Sequence, residues 1–237
     1  MCGKVTILGI DSSAVSVGAA VCDDDRVIVS GFINNKITHS QTLMPLVETL
    51  LADAKLTLGD IDVFAVSAGP GSFTGLRIGV SAVKGLAYAL GKPCRAVSTL
   101  HALAYNVPLF DGIVCSAMDA RCSQVYNALF RIKDGTVTRL CDDRALKTDE
   151  LREELREKYA DERIILVGDG AKLCYDSFGG GSITLAPASI RLQNGIGVCL
   201  AAKGYPDISP AALMPSYLRL AQAERERLAR TAAQSGT

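Results

Sequence analysis

The sequence predicts an α/β fold made of two similar halves, and three observations carry that reading. Short β-type apolar runs alternate with stretches whose apolar residues recur at helical spacing. The order strand-strand-strand-helix-strand-helix-strand-helix runs along the chain twice. Each copy of its first strand ends on an aspartate, Asp11 and Asp119. A three-strand meander joined to parallel strands by crossover helices gives a mixed sheet with helices on its faces. The 237 residues, 49% apolar and 21% charged, suffice for a real core without staples.

The first half opens with Val5-Thr6-Ile7-Leu8-Gly9-Ile10, an apolar run closed by the turn-forming Asp11-Ser12-Ser13. Val15 to Val21 reads as a second strand, Asp23-Asp24-Asp25 as a turn and Arg26 to Phe32 as a third strand. Gln41 to Lys55 follows as a helix with Ser40 as N-cap, its face formed by Leu43, Leu46, Val47, Leu50 and Leu51. Asp62 to Ser67 is a buried-type strand entering Gly69-Pro70-Gly71. A long helix from Phe73 to Leu90 is stopped by Gly91 and Pro93. Arg95 to Ser98 and Leu100 to Tyr105 add a strand and the start of a helix.

The second half repeats the scheme. Its strands are Gly112 to Ala117, Gln124 to Ile132 and Thr136 to Cys141, with Lys133-Asp134-Gly135 as the hairpin turn. Thr148 to Tyr159 is a charged helix capped by Thr148, with Leu151 and Leu155 inward. Arg163 to Val167 is a strand entering Gly168-Asp169-Gly170, Ile183 to Leu185 another strand, and Ile190 to Lys203 a helix. Two such halves side by side form the actin-like duplication, an ASKHA, ribonuclease-H-like arrangement of two βββαβαβα units. The expected subdomains are residues 1–106 and 107–223, with 224–237 a charged tail.

Composition excludes several classes. Twenty-five basic and 25 acidic side chains balance to zero net charge, so the chain lacks the basic stripe of a protein that grips nucleic acid alone. None of the eight cysteines forms a C-x-x-C pair, and several lie in apolar runs, as expected of buried reduced thiols. The start has no signal-peptide pattern, and no apolar run reaches the ~20 residues of a membrane span. The expected location is the reducing cytoplasm.

The segment Ser67 to Gly79, with Gly69, Gly71, Gly75 and Gly79, sits between strand and helix. Backbone N–H groups there suit an anion, and the same glycines suit a tight turn. No G-K-[S/T] follows, so it is not a P-loop. Asp11 with Ser12, and Asp119, stand where actin-like ATPases place acids near phosphates and Mg²⁺. They equally suit aspartates that satisfy backbone amides at a strand end. Together Asp11, Ser12, Gly69, Gly71, Asp119, Gly168 and Gly170 make up a possible vestigial nucleotide site. His39 and His101 form no H-x-x-x-H pair, so neither a helical metal site nor a Ser-His-Asp set is expected.

Glycine in a helix costs about 1 kcal/mol against alanine, so Gly75 and Gly79 call for a close neighbour. Leu43, Leu46, Val47, Leu50, Phe73, Gly75, Leu76, Gly79, Ala82 and Val83 are expected to form a partner interface. A bulky residue at Gly79 would then block pairing and leave the fold intact. An internal helix contact would explain the glycines as well.

Ile10-Asp11-Ser12-Ser13, His39-Ser40-Gln41, Gly69-Pro70-Gly71-Ser72-Phe73-Thr74-Gly75-Leu76-Arg77-Ile78-Gly79, Lys84-Gly85-Leu86-Ala87, Val97-Ser98-Thr99-Leu100, Asp119-Ala120-Arg121 with Val125-Tyr126, and Tyr217-Leu218-Arg219 closely resemble the TsaB (YeaZ) family. The resemblance covers nearly the whole chain. It implies an actin-like fold with a reduced second half and no catalytic residue of its own. It also implies pairing with TsaD, the related metal-dependent subunit that forms N6-threonylcarbamoyladenosine beside the tRNA anticodon. The ATPase TsaE and tRNA join the same complex, so ATP or ADP and metal belong to partner subunits. A homodimer is the expected alternative when the chain is alone. The rival readings are an actin-like ATP-dependent small-molecule kinase, with Gly168-Asp169-Gly170-Ala171 as the remnant of an adenosine loop, and a metallopeptidase-like protein.

Overall fold

A computed structural model describes residues 4–24, 26–35 and 37–218. In the first half β1 (Thr6–Asp11), β2 (Val17–Asp23), β3 (Arg26–Ile33), β4 (Val63–Gly69) and β5 (Cys94–Ser98) form one sheet in the order β3-β2-β1-β4-β5. The meander strands pair antiparallel, and β1, β4 and β5 pair parallel. Successive side chains of a strand leave on opposite faces. Leu8 and Ile10 therefore point to α1 (His39–Ala54) and α2 (Phe73–Leu90), where Leu43, Val47, Leu50, Val80, Val83 and Ala87 meet them. Ile7 points the other way, to α3 (Thr99–Ala104) and a helix of the second half.

The second half comprises β6 (Gly112–Asp119), β7 (Gln124–Lys133), β8 (Thr136–Arg139), β9 (Arg144–Lys147), α4 (Thr148–Lys158), β10 (Ile164–Val167), α5 (Ala171–Phe178), β11 (Ile183–Leu185), α6 (Ala188–Arg191) and α7 (Gly195–Ala202). Its sheet order, β11-β10-β6-β7-β8, repeats the first sheet strand for strand, with the same parallel and antiparallel pairings. The copy is smaller. α4 has 11 residues against 16 in α1, and α5 has 8 against 18 in α2.

The two halves exchange helices. Leu100, Leu103 and Ala104 of α3 pack with Val114, Met118 and Phe130 of the second sheet. Val198, Cys199, Ala201 and Ala202 of α7 pack with Ile7, Ala20 and Cys22 of the first. This contact is backbone against backbone. A Cβ on Gly195 would fall onto the main chain of Ala19 and Ala20, and one on Gly18 would lie 2.9 Å from Cα of Asn194. His101 sits at the same seam, stacked on Phe130 at 5.3 Å. Burial first, then the nearby Arg139, pushes its pKa down to about 4.

Several elements differ from the sequence expectation. The helix expected from Ile190 to Lys203 is two helices, α6 and α7. Asn194 is extended (φ −151°) and caps α7, accepting from the Gly197 amide at 3.0 Å. The stretch before β11 folds as α5, two turns with only Ala171 and Cys174 buried, too short for a strong periodic signal. The third strand of this half stops at Arg139. β8 pairs with one end of the ten-residue β7, and β9 pairs with the other. α1 starts one residue before Ser40, with Thr38 at the cap position, and Thr148 lies inside α4 with Lys147 at the cap. Of the seven described cysteines five are buried, Cys141 is half-buried, Cys122 is exposed, and no disulfide forms among them. The expected tail 224–237 lies outside the described residues, as do Cys2 and Asp25.

Gly195→Val forces β2 away from α7 and is expected to cost about 1–3 kcal/mol, as overpacking does. Gly85, inside α2, has nothing within 4 Å of the place a Cβ would take. It behaves oppositely: Gly85→Ala is expected to gain about 0.5–1 kcal/mol. Urea unfolding midpoints of the two variants check both signs.

Candidate inter-half cleft

The repeat places the ends of β1 and β6, and so Asp11 and Asp119, on related positions of the two halves. Their surroundings differ. Asp11 is 1% exposed. Its Oδ1 accepts from the Ser13 amide at 2.9 Å and the Ser13 hydroxyl at 2.7 Å, and its Oδ2 accepts from Ser67 Oγ on β4 at 2.5 Å. Burial raises its pKa in spite of these bonds, with the Ser67 bond the largest opposing influence. Both oxygens of this carboxyl group are held by groups of its own chain. Asp119 is exposed, and its Oδ1 accepts from the Arg121 amide at 2.7 Å. The hairpin after it holds Arg121, Cys122 and Ser123 all at positive φ (64°, 54° and 54°), a run without glycine that disfavours itself locally.

The glycine-rich segment supplies the second wall. Ser72 caps α2, its Oγ accepting from the Gly75 amide at 3.4 Å. The Ser72 amide donates to the Ser13 carbonyl at 2.7 Å, and Ser12 Oγ donates to the Gly75 carbonyl at 2.8 Å. A Cβ on Gly71 would lie 2.5 Å from the Ser13 carbonyl oxygen, and Cβ atoms on Gly75 and Gly79 would run into Ser12. The close neighbour these helix glycines require is this chain's own loop. Gly69, at φ +142°, faces the Ser216 backbone instead, and the Ser216 amide donates to the Ala68 carbonyl at 2.7 Å.

Most of the residues expected at a partner interface lie in this chain's own core. Leu43, Val47, Leu50, Gly75, Leu76, Gly79 and Val83 are buried within the chain, and Leu46 and Ala82 are packed partly against the same core. Phe73 is stacked on Tyr217 at 4.9 Å, with the Arg77 guanidinium 3.8 Å above its ring. A bulky residue at Gly79 therefore strikes Ser12 and the β4 side chain Val66, and would disturb the fold itself. The apolar periodicity marked the core-facing side of α1 and α2, as it does for most surface helices.

The third wall is the β10–α5 turn. The Gly168 amide donates to the Arg191 carbonyl at 2.7 Å and the Gly170 amide to the Ala117 carbonyl at 3.0 Å, so both are already paired. Asp169 accepts at Oδ1 from Gln193 Nε2 at 2.7 Å. Burial, opposed by that bond and reinforced by the carboxylates of Asp119 and Asp11, pushes its pKa up to about 6. The sequence places the Gly168-Asp169-Gly170 turn here without marking the Asp169 side chain as a site residue. It also passes over Ser67 and Gln193. Gln193 lies in a break between helices and carries no local signal. Among the described residues no three His, Cys, Asp or Glu side chains are arranged to hold a metal ion, and no helix is long and apolar enough to cross a membrane.

Comparison with known proteins completes the picture. The family model "TsaD: tRNA N6-adenosine threonylcarbamoyltransferase" matches residues 33–184. The tRNA threonylcarbamoyladenosine biosynthesis protein TsaB of Bacillus subtilis is 34% identical over 223 residues, covering 93% of this chain and 96% of that protein. The structure of YeaZ from Pseudomonas aeruginosa superposes with a TM-score of 0.76 at 28% identity, covering 90% of this chain and all of the other. An activator of the 2-hydroxyisocaproyl-CoA dehydratase from Clostridium difficile, with bound ADPNP, shares the fold alone (TM-score 0.50, 10% identity, 84% and 93% coverage). The fold is that of an actin-like α/β protein of two similar halves, with the aspartate that ends its first strand turned inward. The chain belongs to the TsaB family, whose Bacillus subtilis member is named a tRNA threonylcarbamoyladenosine biosynthesis protein.

Asp169 has a pH signature. Its folded-state pKa, about 6, lies above the ordinary carboxylate value, so the folded chain binds the extra proton between the two. This contribution favours folding below about pH 4 and is lost as pH rises through about 6. Asp169→Asn keeps an acceptor for Gln193 and removes the titration. The variant is expected to melt higher than the natural chain at about pH 7.5, with the gap closing near pH 4. Equal melting temperatures at both pH values would contradict the assignment.

Proposed function

We propose that this chain is a non-catalytic subunit that pairs with TsaD and supports its transfer of the threonylcarbamoyl group to tRNA. The single observation that carries the reading is that the groups of the candidate nucleotide site are bonded within the chain. Asp11 is buried and triply bonded within the chain, and the amides of Gly168 and Gly170 are committed to its own carbonyls. An actin-like kinase needs these groups for nucleotide and metal. In this reading TsaE, ATP and tRNA reach the complex through other subunits, and two copies of this chain can occupy the same surface when TsaD is absent.

The pairing surface in this proposal is the outward side of α1 and α2. Gly85 is the glycine of α2 that costs helix stability while touching nothing in this chain. It lies one helical step from Ser81 and beside Tyr88, which is 78% exposed, with Arg77 on the same stripe. A flat place beside an exposed tyrosine suits a helix of a related subunit brought close to the backbone.

Reconstituted tRNA modification with and without this chain tests the role. Omission is expected to remove most product, and undiminished product would sink the proposal. Gly85→Gln tests the surface: the isolated variant stays folded, since glutamine is the better helix former, and its affinity for TsaD falls at least about tenfold. Calorimetry of the chain with ATP is expected to show no micromolar binding; binding with turnover would favour the kinase.

A further inference from the structure

Ser12, Ser13 and Ser16 of the loop after β1 are buried, and only its tip leaves the core. Ala14 is half-buried and Val15 is 56% exposed. Hydrogen bonds from three separate elements fix the loop. From α2 come the two described above, Ser12 Oγ to the Gly75 carbonyl and the Ser72 amide to the Ser13 carbonyl. From the second half, the Gln193 carbonyl accepts from Ser16 Oγ at 3.1 Å, and Gln193 in turn donates to Asp169. From α1, His39 Nε2 lies 2.7 Å from the Ala14 carbonyl. A carbonyl oxygen only accepts, so Nε2 carries the proton there.

The start of α1 makes the His39 bond informative. Thr38, at the cap position, gives the helix no side-chain cap, and the first turn holds no acidic residue. The usual devices that fix a helix entry are therefore absent. His39, the first residue of the helix, reaches out of it to the loop across 25 residues of sequence. The same ring stands near enough to Asp11 to act on its charge.

We infer that His39 is a positioning residue that joins the entry of α1 to the Ser12–Ser16 loop, so that the pairing surface and the inter-half cleft move as one body. Shifting the start of α1 pulls on Ala14. Ala14 is two residues from Ser16, and Ser16 holds the Gln193 segment that carries the Asp169 contact. A partner seated on α1 and α2 thereby steadies the cleft without touching it. This inference rests on the pairing surface proposed above only for its last step; the tie itself belongs to the isolated chain.

Hydrogen exchange read by mass spectrometry separates the two. In the isolated chain, His39→Ala is expected to speed exchange about tenfold in peptides covering residues 12–17 and 192–197, with β10 unchanged as the control. His39→Gln offers an N–H at similar reach and is expected to restore the natural rates. Natural rates in His39→Ala, or acceleration confined to the α1 entry, would overturn the tie. Equal acceleration in the Ala and Gln variants would also overturn it, since it would mark simple loss of packing. With TsaD added, the natural chain is expected to show slowed exchange over residues 12–17 and 192–197, and His39→Ala over neither. Failure of the natural chain to bind TsaD would overturn the proposed function and leave the isolated-chain result to judge His39. Binding without slowed exchange in those peptides would overturn the coupling.

Discussion

Seating of the Ser12–Ser13 backbone in the glycine-lined side of α2 is the contact on which the rest of the molecule depends. It closes the end of β1, aims the Asp11 carboxylate at Ser67, and sets how closely α2 lies on the sheet. Two main chains approach this closely only where the side chains between them are absent, so glycine is required at Gly71 and Gly75. The helix tolerates the lost stability because the hydrogen bonds it gains are buried, where an unpaired loop carbonyl would cost about 1–3 kcal/mol. The same contact that builds the fold removes Asp11 from solvent.

The duplication has a comparable logic. Each half leaves one sheet face to be covered by a helix of the other, α3 on the second sheet and α7 on the first. Neither sheet is enclosed without the exchange, so the second half can shorten α4 and α5 and still share a sealed core. The seam is tight, with glycine against backbone at Gly18 and Gly195 and a neutral, stacked His101 beside it. Charges gather where the seam opens, at Asp119 and Asp169, and their mutual repulsion adds to burial in raising the Asp169 pKa.

Helices α1 and α2 show what an apolar period can and cannot say. Leu43, Val47 and Leu50 recur at helical spacing because α1 lies on β2 and β3, and that spacing cannot tell a chain's own core from another subunit. What distinguishes the outer side is a residue the pattern does not favour. Gly85 weakens the helix and meets nothing, and Tyr88 beside it is left in water.

Much of the architecture was fixed by the order of residues alone. Strand alternation, the glycine stops and the repeated element order determine two βββαβαβα halves, and the segment from Gly69 to Gly79 marks the family. These are local properties, set by the period of side-chain direction and by where a backbone can turn. The tertiary structure alone decided what each glycine faces, where Gln193 and Ser67 lie, why α7 starts at Gly195, and that Asp11 is closed while Asp119 is open. Those outcomes depend on distant segments meeting in space, as Ser16 and Gln193 do across 177 residues, and no window of neighbouring residues contains that information.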